Sequence, residues 1–274
     1  MPLLTDHSVQ SDWVEPDDVL RAAVFYGFAS EALGGFELEL HHHKKSQFLL
    51  VQRGALTCEV EGGIWIVPPR SALWIPGGTR HSIVMTGACE RYGAFFAADL
   101  DVRLGDACCV VSVTPLLREL MVRAAQLPFL YEEDGANARM VLFLFDELGA
   151  AKSENLHLPM PTSPQLRRII DLMISAPSVR RTLGFWARDM GASKRTFERL
   201  MQRETGMGFA RWRQQLSVVL AVKWMAGGAT IQQVAADLGY ESVPSFVTMF
   251  KRAVGTSPGK YMAERHATRS EAPF

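Results

Sequence analysis

Long apolar runs are missing from this sequence of 274 residues. No run of roughly 18 apolar residues occurs, which excludes a helix that spans a bilayer. The first residues, MPLLTDHSVQSDWVEPDD, have neither a basic start nor an apolar centre and do not read as a secretory signal. Cysteine is scarce, with Cys58, Cys89, Cys108 and Cys109 making up the four, and their spacing fits no zinc site. Adjacent cysteines rarely bridge each other, so these thiols are expected to be buried and reduced in a cytoplasmic protein. Net charge is missing as well, with 29 Lys+Arg against 29 Asp+Glu. That balance hides a division. Residues 1–162 hold 12 basic and 21 acidic side chains, and residues 163–274 hold 17 and 8. An acidic half joined to a basic half points to two domains, the second suited to a polyanion.

Texture divides the chain at similar places. Residues 1–20 are polar and acidic and read as a flexible arm. Residues 21–113 carry short apolar runs (FLLVQ, ALTCEV, IWIVP, ALWIP) separated by turn signals at Glu61-Gly62-Gly63, Pro68-Pro69 and Pro76-Gly77-Gly78. That spacing predicts a β-sandwich or small barrel. Residues 114–157 have helical spacing over 115–126 and 136–151. Leu116, Leu117, Leu120 and Met121 share one face, and Met140, Leu144 and Leu148 share another. This hairpin either covers the barrel or makes a dimer contact. Residues 158–164, Leu-Pro-Met-Pro-Thr-Ser-Pro, read as a linker because three prolines interrupt any helix. Residues 165–266 read as helix throughout, with a tail at 267–274.

Within the basic half one local pattern occurs twice. Ala187 is followed by Gly191 and then by SKRTFERLMQRETG from Ser193; Ala235 is followed by Gly239 and then by VPSFVTMFKRAVG from Val243. In a helix-turn-helix the small residue lets the second helix cross closely, and the glycine takes the positive φ of the turn. Phe197 and Phe246 fall where an apolar residue anchors the second helix. Between the two copies a helix over Phe209–Ala226 is predicted, a rod of roughly 27 Å. That length holds two recognition helices in successive major grooves, about 34 Å apart. The predicted DNA-facing residues are Ser193, Lys194, Arg195, Thr196, Glu198 and Arg199 in the first copy. In the second they are Ser242, Val243, Pro244, Ser245, Thr248 and Lys251. Arginine forks occur in the first copy alone, so it is expected to discriminate bases more strongly.

The segment Thr182–Tyr261 resembles the DNA-binding domain of the AraC/XylS family of bacterial transcription regulators. The resemblance rests on RETG at 203–206, Trp212-Arg213, AADLGY at 235–240, Glu241-Ser242, Ser245-Phe246, MFKR at 249–252, and Gly255-Thr256-Ser257-Pro258 with Tyr261. It implies an all-α domain with two helix-turn-helix units. It also implies binding of double-stranded promoter DNA and, with RNA polymerase, activation in answer to a signal. Thr248 stands where many members place a base-reading arginine, and Ser217 where the connecting helix commonly has one.

Histidine concentrates in the acidic half, at His41-His42-His43 and His81. On a strand, residues two apart share a face, so His41 and His43 point together. Gln47 and His81 complete a set able to hold a metal facially. The spacing resembles the two cupin motifs over roughly residues 35–85. The resemblance implies a cupin-like barrel whose His41, His43, Gln47 and His81 bind Zn, Ni, Fe, Mn or Cu. Gln47 replaces the commoner Glu, Arg70 stands where the second motif opens with Gly, and Met85 where it often closes with Asn. Alternatively the histidines line a pocket for a small effector, or serve packing alone. Phe36, Phe48, Trp65, Trp74, Phe95 and Phe96 are candidate lining residues. The expected whole is a regulator at the nucleoid: an N-terminal all-β sensor with a helical hairpin, a small-molecule or metal signal, and homodimerisation through the hairpin as an option. A cupin metalloenzyme with an accessory DNA-binding domain is the alternative, and an architectural DNA protein without effector is a third reading.

Overall fold

The computed structural model describes residues 4–5, 15–30, 36–100, 102–132 and 134–266. Most of the expected arm and all of the 267–274 tail lie outside the described residues. Two compact units emerge. The first holds residues 1–60 and 65–155, and the second holds 156–274 together with Glu61–Ile64.

The first unit is a β-sheet built on two long strands. Strands β1 (Leu4–Thr5), β2 (Ala23–Ser30), β3 (Phe36–His41), β4 (Ser46–Val60), β5 (Gly63–Val67), β6 (Ser71–Ile75), β7 (His81–Phe96) and β8 (Cys109–Ser112) precede helices α1 (Pro115–Ala124) and α2 (Ala136–Gly149), and β9 (Ser153–Glu154) follows them. The sheet order is β1-β2-β7-β4-β6-β8-β9, with β3 on β7 and β5 on β4. β7 pairs antiparallel with β4 along nearly its whole length. Its second half pairs on the other side with β2, and its first half with β3. Alternation then sorts side chains to two faces. Phe25, Phe48, Leu50, Trp74, Tyr92, Ala94 and Phe96 point to the face covered by Leu117 and Met121 of α1 and Val141, Leu144 and Leu148 of α2. The hairpin therefore covers the sheet. Leu116, expected on the covered face, is exposed, as are Leu142 and Phe143.

The opposite face carries the polar residues. The paired positions Gln47↔Phe95 and Tyr26↔Gly93 put Tyr26, Gln47 and Phe95 together across three strands. Gly93 is required here because a Cβ would fall 2.1 Å from the Tyr26 ring. Phe48, Trp74 and Phe96 are thus core residues of the helix-covered face, and Phe95 alone of these four turns to the histidines.

In the second unit β10 (His157–Pro159) leads to α3 (Pro164–Ser175), α4 (Leu183–Asp189), α5 (Lys194–Thr205), α6 (Phe209–Ala226), α7 (Ile231–Asp237), α8 (Val243–Val254) and α9 (Pro258–His266). The stretch read as a linker is packed. Leu158, Pro159 and Met160 are buried, Trp212 Nε1–H donates to the Pro159 carbonyl (2.8 Å), and Gln215 Nε2–H donates to the His157 carbonyl (2.9 Å). Pro159 and Pro161 prevent a helix here but leave an extended strand that α6 can hold by its carbonyls, and Pro164 opens α3. The helices start at side-chain caps on Thr182, Ser193, Thr230 and Ser242, and α5 and α8 end on left-handed Gly206 and Gly255. α6 spans Phe209–Ala226, as the sequence predicts.

Candidate functional site

The α4–α5 and α7–α8 pairs have one construction. Each first helix has seven residues and buries a small alanine, Ala187 or Ala235. Each turn passes through a glycine with positive φ, +72° at Gly191 and +71° at Gly239. Each second helix has twelve residues and roots itself by aromatic or apolar side chains: Phe197 and Met201 in α5, Phe246 and Phe250 in α8. Rooting on one side leaves the other side to solvent.

On α5 that outer side carries Lys194, Arg195, Thr196 and Arg199, all exposed, behind Ser193, whose Oγ accepts the Thr196 N–H (3.1 Å). Glu198 departs from this set. It is half-buried, and its Oε1 accepts the Phe209 N–H at the start of α6 (3.2 Å). The α6 N-cap is Gly208, which has no side chain to offer, so a carboxylate from the neighbouring helix takes over its orphan donor. Glu198 is thus a structural residue rather than part of the outer face. On α8 Pro244, Ser245, Thr248 and Lys251 are exposed, Val243 is half-buried, and exposed Ser242 caps the helix through the Ser245 N–H (3.4 Å). The two outer faces differ as expected: α5 offers guanidinium forks, α8 hydroxyls and apolar contacts.

The second cluster lies in the first unit. Strand β3 ends at His41; His43 follows it in a loop, Lys44-Lys45 make a bend, and Gln47 is the second residue of β4. His42 is exposed and takes no part. The bend is pinned to the loop before His81. Gly78 N–H donates to the His43 carbonyl (2.8 Å), and a Cβ on Gly77 would stand 2.1 Å from the Lys44 carbonyl oxygen. One potential ligand atom each from His41, His43 and His81 lies within 4.8 Å of the others. The His41 and His81 ring centroids are 4.3 Å apart, and those of His43 and His81 5.1 Å.

Tautomers follow from the partners. Nδ1 of His41 meets the Glu39 carbonyl (2.7 Å), Nδ1 of His81 the Thr79 carbonyl (2.8 Å), and Nδ1 of His43 the Lys45 carbonyl. A carbonyl only accepts, so each Nδ1 carries a proton, and each neutral ring presents an Nε2 lone pair. His81 Nε2 is buried with no hydrogen-bond partner. Burial, and then the neighbouring imidazoles, push His81 down to about 4, and burial holds His43 below its ordinary value. Both are therefore neutral near pH 7, as metal ligands must be.

Gln47 supplies a further clue. Its Nε2–H donates to the Tyr26 hydroxyl (3.1 Å), and its Oε1 lies 3.3 Å from His43 Nε2. Two acceptors then face each other. A cation between them satisfies both; so does a half-turn of the amide, which gives an N–H to His43 and the oxygen to Tyr26. The donor set of three imidazoles, with an amide oxygen alongside, fits a borderline divalent ion such as zinc.

Sequence reasoning missed two supports of this cluster. Tyr26 sits 21 residues before Gln47, and only strand register brings them together. Asp17 accepts the N–H groups of Lys44 (2.7 Å) and Lys45 (3.0 Å), while Lys45 Nζ donates to the Val19 and Arg21 carbonyls. Burial pushes the Asp17 carboxyl upward, but these N–H bonds and the nearby Lys44 ammonium outweigh it and hold the group below its ordinary value. Arg70 has φ +63°, in the left-handed region that favours glycine.

Residues 186–264 match the model of a helix-turn-helix domain. The HTH-type transcriptional regulator NimR of Escherichia coli K12 is 38% identical over 259 residues, covering 94% of this chain and 93% of that protein. Among solved structures, the chain is similar to the DNA-binding domain of AdpA in complex with a target DNA. Identity there is 23%, with 40% of this chain and all of that one covered and a TM-score of 0.37. It is also similar to ToxT from Vibrio cholerae strain SCE256 with an unsaturated fatty acid bound: 12% identity, 91% of this chain and 97% of that one, TM-score 0.37. With 38% identity to a transcriptional regulator across nearly the whole of both chains, and a helix-turn-helix match over residues 186–264, the chain belongs to the AraC-type family of helix-turn-helix transcriptional regulators.

Proposed function

We propose that the protein is a sequence-specific, promoter-binding activator. Its cupin-like first unit holds a divalent transition metal on His41, His43 and His81 with Gln47 alongside, and uses it to sense a small molecule. Its second unit reads two successive major grooves with α5 and α8 as the recognition helices of two helix-turn-helix units. The observation that carries the DNA reading is the paired construction of α4–α5 and α7–α8, each presenting a capped, outward helix. The observation that carries the metal reading is three imidazoles whose Nδ1 atoms are each held by a backbone carbonyl and whose potential ligand atoms lie within 4.8 Å of one another. A bound ion supplies a Lewis-acid anchor for one donor atom of the effector. Backbone carbonyls hold the imidazoles by Nδ1, and burial keeps His43 and His81 uncharged. Occupancy of the first unit shifts the population of the DNA-competent state.

The exposed Leu116, Leu142 and Phe143 of the helical hairpin support homodimerisation through that face, and RNA polymerase is the partner expected of an activator. The metalloenzyme alternative finds less support. Among the described residues the cluster is three imidazoles, and no carboxylate joins it as a general acid or base.

Genome-wide mapping of the bound promoters, with expression measured in strains lacking the protein, tests the regulator reading. Bound sites upstream of genes whose transcripts fall in its absence support activation, and transcripts that rise make it a repressor. For the metal, the purified protein is expected to contain near-stoichiometric transition metal, lost in the His41→Ala/His43→Ala double variant. Full metal content in that variant, or none in the parent after purification without chelator and reconstitution with zinc, removes the metal from the account.

A further inference from the structure

Reading two grooves at once requires a fixed distance and rotation between the two recognition helices. α6 supplies length, but a single helix does not by itself set the rotation of what is attached to its ends. The loop at residues 176–181, between α3 and α4, touches both helix pairs. On its way to Thr182, the cap of α4, it passes α6, where Arg213 Nη2 donates to the carbonyls of Val179 (2.9 Å) and Pro177 (3.4 Å). It also meets the turn between α7 and α8. A Cβ on Gly239 would stand 2.3 Å from the Ser178 carbonyl oxygen, so backbone lies against backbone there. One residue on, the Arg180 guanidinium lies over the Tyr240 ring, 4.1 Å from its centroid. Tyr240 in turn packs on Phe246, the fully buried root of α8 (5.6 Å between centroids).

We propose that Arg180, Arg213, Gly239 and Tyr240 are positioning residues that fix α5 relative to α8, so that the protein measures the spacing between two half-sites. The loop at 176–181 works as a buckle. It ties the start of the first helix pair to the turn of the second and to α6 between them. Arg180 and Arg213 carry like charges in one neighbourhood, which repel unless each is held. Carbonyl oxygens hold Arg213, and the ring face holds Arg180. Neither guanidinium is needed at a base edge for this role. A rigid connection makes binding of the second unit intramolecular at a high effective concentration, and a loosened one loses that advantage at the correct spacing and tolerates wrong spacings better. The inference rests on the two-groove reading.

The test uses the full chain and three duplexes. The first is enriched from a random-sequence library by the parent protein. The second carries one added base pair between its two protected patches, and the third keeps only the α5 patch. For the parent, the added base pair is expected to cost on the order of tenfold or more in affinity. In Arg180→Gln/Arg213→Met, affinity for the first duplex is expected to fall on the order of tenfold, while the spacing penalty shrinks to about threefold and the third duplex is bound within about twofold of the parent. The slope of affinity against salt stays that of the parent, because no phosphate contact is lost. Arg180→Gln alone keeps every backbone bond of the loop and gives the same signs if the double variant does not fold. An unchanged spacing penalty overturns the proposal. Equal loss on all three duplexes with a shallower salt slope also overturns it and makes Arg180 a phosphate clamp. A parent footprint confined to one groove removes the two-groove reading and the buckle with it.

Discussion

Arg195 and Arg199 stand on the exposed side of α5, opposite the buried Phe197 and Met201. A bidentate fork on a guanine edge is worth about 1–3 kcal/mol, and Arg195→Ala or Arg199→Ala should lose that much at an enriched site. Measured on scrambled DNA as well, the loss should be confined to the enriched site. Equal losses on both would make these residues phosphate contacts. At the histidine cluster the sign of the pH effect follows from burial. His81 titrates near 4 in the folded chain against an ordinary value of 6.5, and His43 is lowered too. The unfolded chain therefore takes up protons first as pH falls. Stability from this source is fully present above about 6.5 and is lost as pH falls through about 4. Thermal melts of the chelator-treated protein should show the midpoint falling over that window. A midpoint that rises on acidification contradicts the assignment. His41, His43, Gln47 and His81 were all legible in the sequence, because ligand chemistry limits the residue types. Tyr26 and Asp17 were not, because they act through register and backbone bonds that leave no local motif.

At the scale of elements, the second unit was read closely and the first only in outline. Helix ends carry local chemistry: Ser193 and Ser242 cap, Gly206 and Gly255 terminate, and α6 runs between Gly208 and Gly227. Strand partners carry no such mark, so the long β4–β7 pairing and the choice of covered face came only from the structure. The packing of β10 was hidden for the same reason, since Trp212 lies 53 residues from the carbonyl it holds. Glu198 makes the point within a single helix. Its position on α5 suggested an outward role, whereas the α6 N-terminus, eleven residues on, claims its carboxylate. Glu198→Ala is expected to destabilise the protein by about 1 kcal/mol through the lost cap, without altering base preference. Denaturant titration and binding-site enrichment check the two halves of that statement. A changed preference at unchanged stability would return Glu198 to the DNA face.

As a whole molecule, the protein keeps its histidine cluster in the acidic half and its two outward-facing helices, α5 and α8, in the basic one. The neutral total charge is a sum of two unlike surfaces. The proposed function places α5 and α8 in successive major grooves on one face of DNA. A hydroxyl-radical and guanine-methylation footprint of the full chain on an enriched duplex measures this directly. The predicted result is two protected patches about one helical turn apart, with guanine protection stronger under the arginine-bearing α5. A single patch, or two patches on opposite faces of the duplex, would contradict it.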